Sequence, residues 1–291
     1  TQTVPPGRAY RAETGIELQA ALLDPDPTGQ AQNKALARIA ERARERTGPD
    51  APALLRVDPL PASLTYTQAR ALHTSTGVKT GPLWGLIGVG GDETRAYGVD
   101  LSAGSPAMLI AGPPRSGRST AALTLAQFYL QRRTEIIVVA PRPSPLRGLE
   151  GRAGVLALLT SSQVTAEQLT AAFNRRTKKR LVVILDDAQD LRNCDAGTLL
   201  SDTLNRTAGD GIGLVIAGDP EELSTGFSGW LVDARKARRG LLLSPRSTTD
   251  GQLTGIQLTR GDTQKPVKPG IGILHTGDGK PVTILVPHTT T

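Results

Sequence analysis

Gly112 and Gly117 stand five positions apart, and Arg118, Ser119 and Thr120 follow directly. The full stretch, 106–120, reads PAMLIAGPPRSGRST. Its G-x-x-x-x-G-[basic]-[ST] spacing is that of a phosphate-binding loop. Glycines let the backbone turn its N–H groups around a polyphosphate, and the helix that follows presents its positive end to the same anion. The candidate cradle is Gly112, Pro113, Pro114, Arg115, Ser116 and Gly117, continuing into Arg118, Ser119 and Thr120. Ser119 falls where a hydroxyl can ligate Mg²⁺. The basic residue is Arg118, where Lys is usual. It keeps the charge but replaces a compact ammonium with a broad planar fork. Nucleotide binding is expected to survive that exchange more readily than fast hydrolysis.

Residues 181–187, LVVILDD, supply the second half of the chemistry. An apolar run drives a central strand, and carboxylates follow at its carboxyl end, on the sheet edge where the loop also lies. Asp186 is placed to hold Mg²⁺. The next position commonly carries a Glu that polarises the attacking water. Here it is Asp187, whose reach is shorter by ~1.5 Å, and misplacing a catalytic group by ~1 Å can cost about 10²-fold. Arg118 and Asp187 are thus the candidate catalytic side chains, and Ser119 and Asp186 the candidate metal ligands. A third strand, 213–218, ends in Gly218-Asp219, where a polar γ-phosphate sensor is typical; an acid there would repel the phosphate. Arg235, Arg238 and Arg239 can be read as fingers for a neighbouring subunit's nucleotide, or as a basic helix end lying near its own carbonyls.

The elements that must position these groups alternate. Strands are expected at 107–111, 135–140, 155–159, 181–185 and 213–218, with helices after the loop and at 165–176, 195–208 and 221–237, the last broken near Gly226–Gly229. That alternation is the signature of a mostly parallel sheet covered on both faces. Thr165 and Gln168 have capping-box spacing. Segments 83–89 and 97–101 read as a hairpin leading into the loop strand, and 240–244, 270–274 and 281–286 as late strands. Ahead of them lie a short extended segment within 1–28, a helix over 31–46 ended by Gly48-Pro49, and a Pro/Thr/Ser-rich linker over 49–82 with one short helix near Thr67–Leu72.

Composition narrows the alternatives. The chain has 291 residues, 38% of them hydrophobic but only 3% aromatic, so its core must be aliphatic. The single cysteine, Cys194, excludes an intrachain disulfide, and His73, His275 and His288 lack ligand spacing and are read as surface or structural residues. No apolar run approaches the ~20 residues that span a bilayer, and no signal-peptide pattern opens the chain. The net charge is +7, with basic clusters at 38–46, 175–180 and 235–239. Such a balance permits an acidic partner or nucleic acid, although no aromatics interleave with these runs to make a single-strand stacking platform.

Taken together, GPPRSGRST, ILDDAQDL (184–191), the AGDP strand end and the tail RKARRGLLLSP…DGQLTGIQL…PGIGIL resemble the FtsK/SpoIIIE ATPases, and within them the last ATPase domain of EccC-type proteins of type VII secretion. The resemblance covers roughly 80–290. It implies an α/β, RecA-like P-loop fold and ATP with Mg²⁺ as ligands. Gly112, Gly117, Arg118, Ser119 and Thr120 match the loop and Asp186 the Mg²⁺ carboxylate; Asp187 sits where the DNA pumps have Glu, and Gly218-Asp219 where they have Thr-Gln. These departures imply weak or absent turnover, with nucleotide as a structural ligand. Residues 1–48 look like the tail of a preceding ATPase domain, 49–82 a linker and 83–291 the ATPase domain. The implied partners are preceding ATPase domains of the same chain, small helical-hairpin secretion substrates and further copies in a ring. The implied location is the cytoplasm, tethered to the inner face of the plasma membrane through a segment this sequence lacks. The alternative is a DNA translocase domain that binds duplex DNA.

Overall fold

The structure, a computed structural model, describes residues 7–10, 15–47, 57–75, 80–205, 210–264, 266, 268–277 and 280–290. The chain divides into two compact units, Thr1–Leu55 and Arg56–Thr291. In the first, β1 (Arg8–Tyr10) pairs antiparallel with β2 (Glu17–Gln19), and α1 (Gly29–Thr47) follows. The expected stop of this helix, Gly48-Pro49, lies outside the described residues. The apolar stripe of α1 is mostly uncovered: Ala35 is buried, while Leu36 and Ile39 are 56% and 48% exposed.

The second unit is built on one ten-stranded sheet. Its strands are β3 (Trp84–Gly90), β4 (Arg95–Asp100), β5 (Ala107–Ala111), β6 (Glu135–Val139), β7 (Val155–Leu159), β8 (Leu181–Leu185), β9 (Ile212–Gly218), β10 (Gly240–Leu243), β11 (Ile271–His275) and β12 (Val282–Leu285). Their order is β4-β3-β12-β11-β10-β5-β9-β8-β6-β7. From β10 to β7 every pairing is parallel; from β10 to β4 every pairing is antiparallel. The expected hairpin forms as β3–β4, but it closes the far edge of the sheet, with β12, β11 and β10 standing between it and β5. Short local turns fix a hairpin; only the late strands fix where it docks.

Side-chain alternation along β5 divides the core. Met108 and Ile110 face the helix α3 (Arg118–Gln131), in one cluster with Leu123, Leu125 and Tyr129. Ala107, Leu109 and Ala111 face the other layer, made by α4 (Ala166–Asn174), α5 (Gly197–Asn205) and α7 (Trp230–Arg235). Thr165 caps α4 with both bonds of the capping box present. The expected helix end at 206–208 lies outside the described residues. The break at 226–229 separates α6 (Pro220–Ser224) from α7. Inside the stretch expected to be linker, α2 (Tyr66–Ser75) packs into the larger unit: Leu64 and Ala69 are buried with Leu86, Phe128 and Leu285. At the other end of the chain, Thr289 bonds Thr124 of α3 at 2.7 Å, and the His288 amide bonds Leu64 O at 2.7 Å.

Candidate nucleotide site

The loop 112–117 leaves β5 between β10 and β9 and feeds α3. Gly112 N donates to Gly218 O at 3.2 Å, Ser116 N to Pro113 O at 3.2 Å, and Gly270 N to Ser116 O at 2.8 Å. Glycine is required at both ends of the loop. A Cβ on Gly112 would lie 2.5 Å from Ser116 Oγ and 2.8 Å from Leu243 Cβ, and Gly117 has φ 102°. Arg115 also takes a positive φ, 65°, and is exposed, as is Pro114. Helix α3 starts without a side-chain cap. Among the described residues, the amides of Gly117, Arg118, Ser119 and Thr120 have no acceptor, and the buried Ser116 Oγ has no partner. Free amides are normal at a helix start. Combined with a curled loop and an orphaned hydroxyl, they fit an anionic group and leave no other partner for it among these residues.

The carboxyl end of β8 meets this loop. Asp186 is fully buried, and its Oδ2 accepts a hydrogen bond of 2.6 Å from Ser144 Oγ. Burial pushes its pKa up, while hydrogen bonds from Ser144 and Ser119 pull it back down. Ser119 thus stands near enough to Asp186 to lower its pKa, which puts the two candidate metal ligands on the same side of the loop. Among the described residues, no group of three or more His, Cys, Asp or Glu side chains could hold a metal. One hydroxyl and one carboxylate suit Mg²⁺ completed by phosphate oxygens and water, not an all-protein cage.

Arg118 takes a different course from the one its position predicts. It folds back rather than reaching out: its Nη1 donates to Gly112 O, and its Nη2 lies 3.0 Å from Asp187 Oδ1. Asp187 sits at φ 48° and also accepts from Gln189 Nε2 at 3.3 Å. One oxygen of its carboxylate, Oδ1, is thus shared by Arg118 and Gln189. Asp219 does turn toward the site. Its Oδ1 caps α6 through Glu221 N at 3.1 Å, and its Oδ2 lies 3.8 Å from Arg118 Nη1.

Two residues escaped the sequence reading. Ser144, in the loop after β6, crosses over to hold Asp186. Arg142, two residues earlier, binds Asp190 bidentately at 2.6 Å. The only signal was a Pro/Arg-rich loop at a strand's carboxyl end. The finger reading of Arg239 is corrected: it is buried at the opposite edge of the sheet, where its guanidinium donates to the carbonyls of Ala103, Ser105 and Ala107. Arg235 donates to Ser224 O and Gly226 O, tying α6 to α7. Arg238 is exposed at the same far edge as Arg239, just ahead of β10. The histidines are structural where contacts show: His73 stacks on Trp84 at 4.4 Å, and His275 Nδ1 meets Thr254 O at 2.8 Å.

Fold and site together define a P-loop domain on a RecA-like sheet. Residues 102–225 match the family described as AAA domain. No curated protein sequence matches the chain. Among solved structures, the chain is similar to the cytoplasmic domain of EssC, with TM-score 0.61, 18% identity, and coverage of 97% of this chain and 58% of that one. It is similar to ATPases 2 and 3 of EssC from Geobacillus thermodenitrificans, with TM-score 0.60, 18% identity and coverage of 97% and 55%. It is also similar to ATPases 2 and 3 of Thermomonospora curvata EccC in complex with a signal sequence peptide, with TM-score 0.60, 19% identity and coverage of 98% and 54%. The chain thus spans little more than half of each of these proteins, and at such identities the likeness is one of fold. That fold is the P-loop ATPase fold of the EssC and EccC type VII secretion proteins.

Proposed function

We propose that the chain is a nucleotide-binding ATPase domain of a type VII secretion motor, which holds Mg²⁺ and ATP or its product as a structural ligand and turns over slowly or not at all. The observation that carries the reading is the nearness of Ser119 to the buried Asp186 beside a loop whose amides, among the described residues, have no acceptor. On this reading Gly112, Ser116, Gly117 and the amides through Thr120 cradle the phosphates, and Ser119 and Asp186 hold Mg²⁺. The metal would supply charge neutralisation. Ser144 keeps the carboxylate oriented.

Slow turnover is supported by Asp187. A water-polarising base must draw a proton from the water, and the positive guanidinium of Arg118 on Asp187 Oδ1 disfavours that. The apolar side chains of the first unit, Leu36 and Ile39 among them, support a context in which preceding ATPase domains of the same chain cover that unit. A role in recognising small helical-hairpin substrates is consistent with the signal sequence peptide bound to the Thermomonospora curvata EccC domains.

The test is phosphate release from ATP by the purified chain, alone and with Arg118→Lys and Asp187→Glu together. Turnover well below one per second is expected for the unmodified chain, rising in the double variant. Rapid turnover by the unmodified chain would exclude the structural-ligand reading. The duplex-DNA reading is favoured by the charge of +7. It predicts duplex binding that weakens steeply with salt, and no binding at low salt would remove it.

A further inference from the structure

The loop's one inward cation is already shared. Arg118 lies 3.0 Å from Asp187 and 3.8 Å from Asp219, and it also bonds Gly112 O. Gln189 links the two acids, donating to Asp187 Oδ1 at 3.3 Å and accepting from Asp219 N at 3.4 Å. The side chains of Arg118 and Asp187 are 10% and 11% exposed, so salt screens this pair little. Arg142 also attracts Asp187, but its hydrogen bonds go to Asp190, and Arg115 is exposed at the loop tip, so among the described residues Arg118 alone pairs with the two acids.

We infer that this cluster makes the site select a nucleoside diphosphate over a triphosphate. The inference rests on the phosphate-loop reading and names the ligand class of that same site. In such a loop the basic side chain reaches the β- and γ-phosphates. Here three carboxylates, Asp186, Asp187 and Asp219, surround one guanidinium, and Mg²⁺ on Asp186 only offsets the excess negative charge. A diphosphate uses the loop amides and the metal and leaves the cluster closed. A third phosphate comes up against Asp187 and Asp219 and draws Arg118 away from at least one of them, leaving a poorly hydrated carboxylate facing the new anion.

Both acids can be neutralised without disturbing the backbone. Asn tolerates the left-handed conformation of Asp187, and it caps a helix as well as the Asp219 it would replace. The experiment is calorimetric titration of ADP and of ATP, each with Mg²⁺, into the 291-residue chain and into Asp187→Asn, Asp219→Asn and the double variant. The unmodified chain is expected to bind ADP about tenfold tighter than ATP, and the preference to shrink in each single variant and vanish in the double. ATP binding as tightly as ADP, or a preference unmoved in variants that melt like the parent, would overturn the inference alone. Binding of neither nucleotide to any of the four proteins would overturn the phosphate-loop reading and this inference with it. Should a variant not fold, the ratio measured on the unmodified chain decides.

Discussion

Asp186 is a buried carboxylate whose acidity is set by its surroundings. Burial raises its pKa in the folded chain, so folding takes up a proton as pH falls toward that value. The sign follows: its contribution is fully stabilising below the ordinary carboxylate value of 3.8 and is lost as pH rises through the folded value. Replacing it with Asn is therefore expected to raise the melting temperature of the nucleotide-free chain at pH 7 and to flatten the pH dependence above pH 4. An unchanged pH profile would show that the carboxylate is not desolvated. Ser144→Ala removes a 2.6 Å bond to the same group and should weaken Mg²⁺-dependent nucleotide binding while leaving Mg²⁺-independent binding in place. Arg239→Ala leaves three carbonyls without their donor and is expected to cost about 3 kcal/mol or more in denaturant unfolding, with no change in nucleotide affinity. A matching loss of affinity would restore the finger reading. Gly112→Ala has no room and is expected to cost about 1–3 kcal/mol by overpacking, together with loss of nucleotide binding.

Strand, loop and helix were legible at 106–131 because each signal is local: five apolar residues, two glycines at fixed spacing, and an unbroken helical run. The strand ending in Asp186-Asp187 was legible for the same reason. The partnership of Arg118 with Asp187 was not, because it joins residues 69 apart and depends on side-chain direction rather than type. Ser144 was invisible on the same ground: nothing in PRPSPL says which strand end the hydroxyl will reach. Strand order was partly legible. Alternating strands and helices announce parallel neighbours, yet the late strands wedge the β3–β4 hairpin away from β5, a placement decided by three antiparallel ladders. Local capping can be tested separately from the site. Thr165→Ala removes one half of a reciprocal cap and should cost about 1 kcal/mol without altering nucleotide binding.

At the scale of the larger unit, the basic runs at 175–180 and 235–239 lie at the sheet edge opposite the phosphate loop. The 175–180 run precedes β8 at the amino edge, where Glu135 accepts from the Thr177 and Lys178 amides at 3.0 Å each and Arg176 bonds the carbonyls of Lys178 and Lys179. Burial pushes the Glu135 carboxyl up, but the hydrogen bonds from Thr177 and Lys178 outweigh it and hold it below the usual range. These residues fasten a loop as well as carry charge, so the composition alone overstated their freedom. Among the described residues, no helix is long and apolar enough to cross a membrane.

A magnesium nucleotide held by the loop after β5, with Ser119 and Asp186, must stabilise the folded chain. The decisive measurement is thermal unfolding of the chain with Mg²⁺ and ADP at about a hundred times the dissociation constant. Linkage predicts a gain of about 2.7 kcal/mol, or roughly 5–10 °C in melting temperature, abolished when Gly112 is replaced by Ala. A melting temperature that nucleotide leaves unmoved at millimolar concentration, or a gain that persists in the Gly112 variant, would contradict the account.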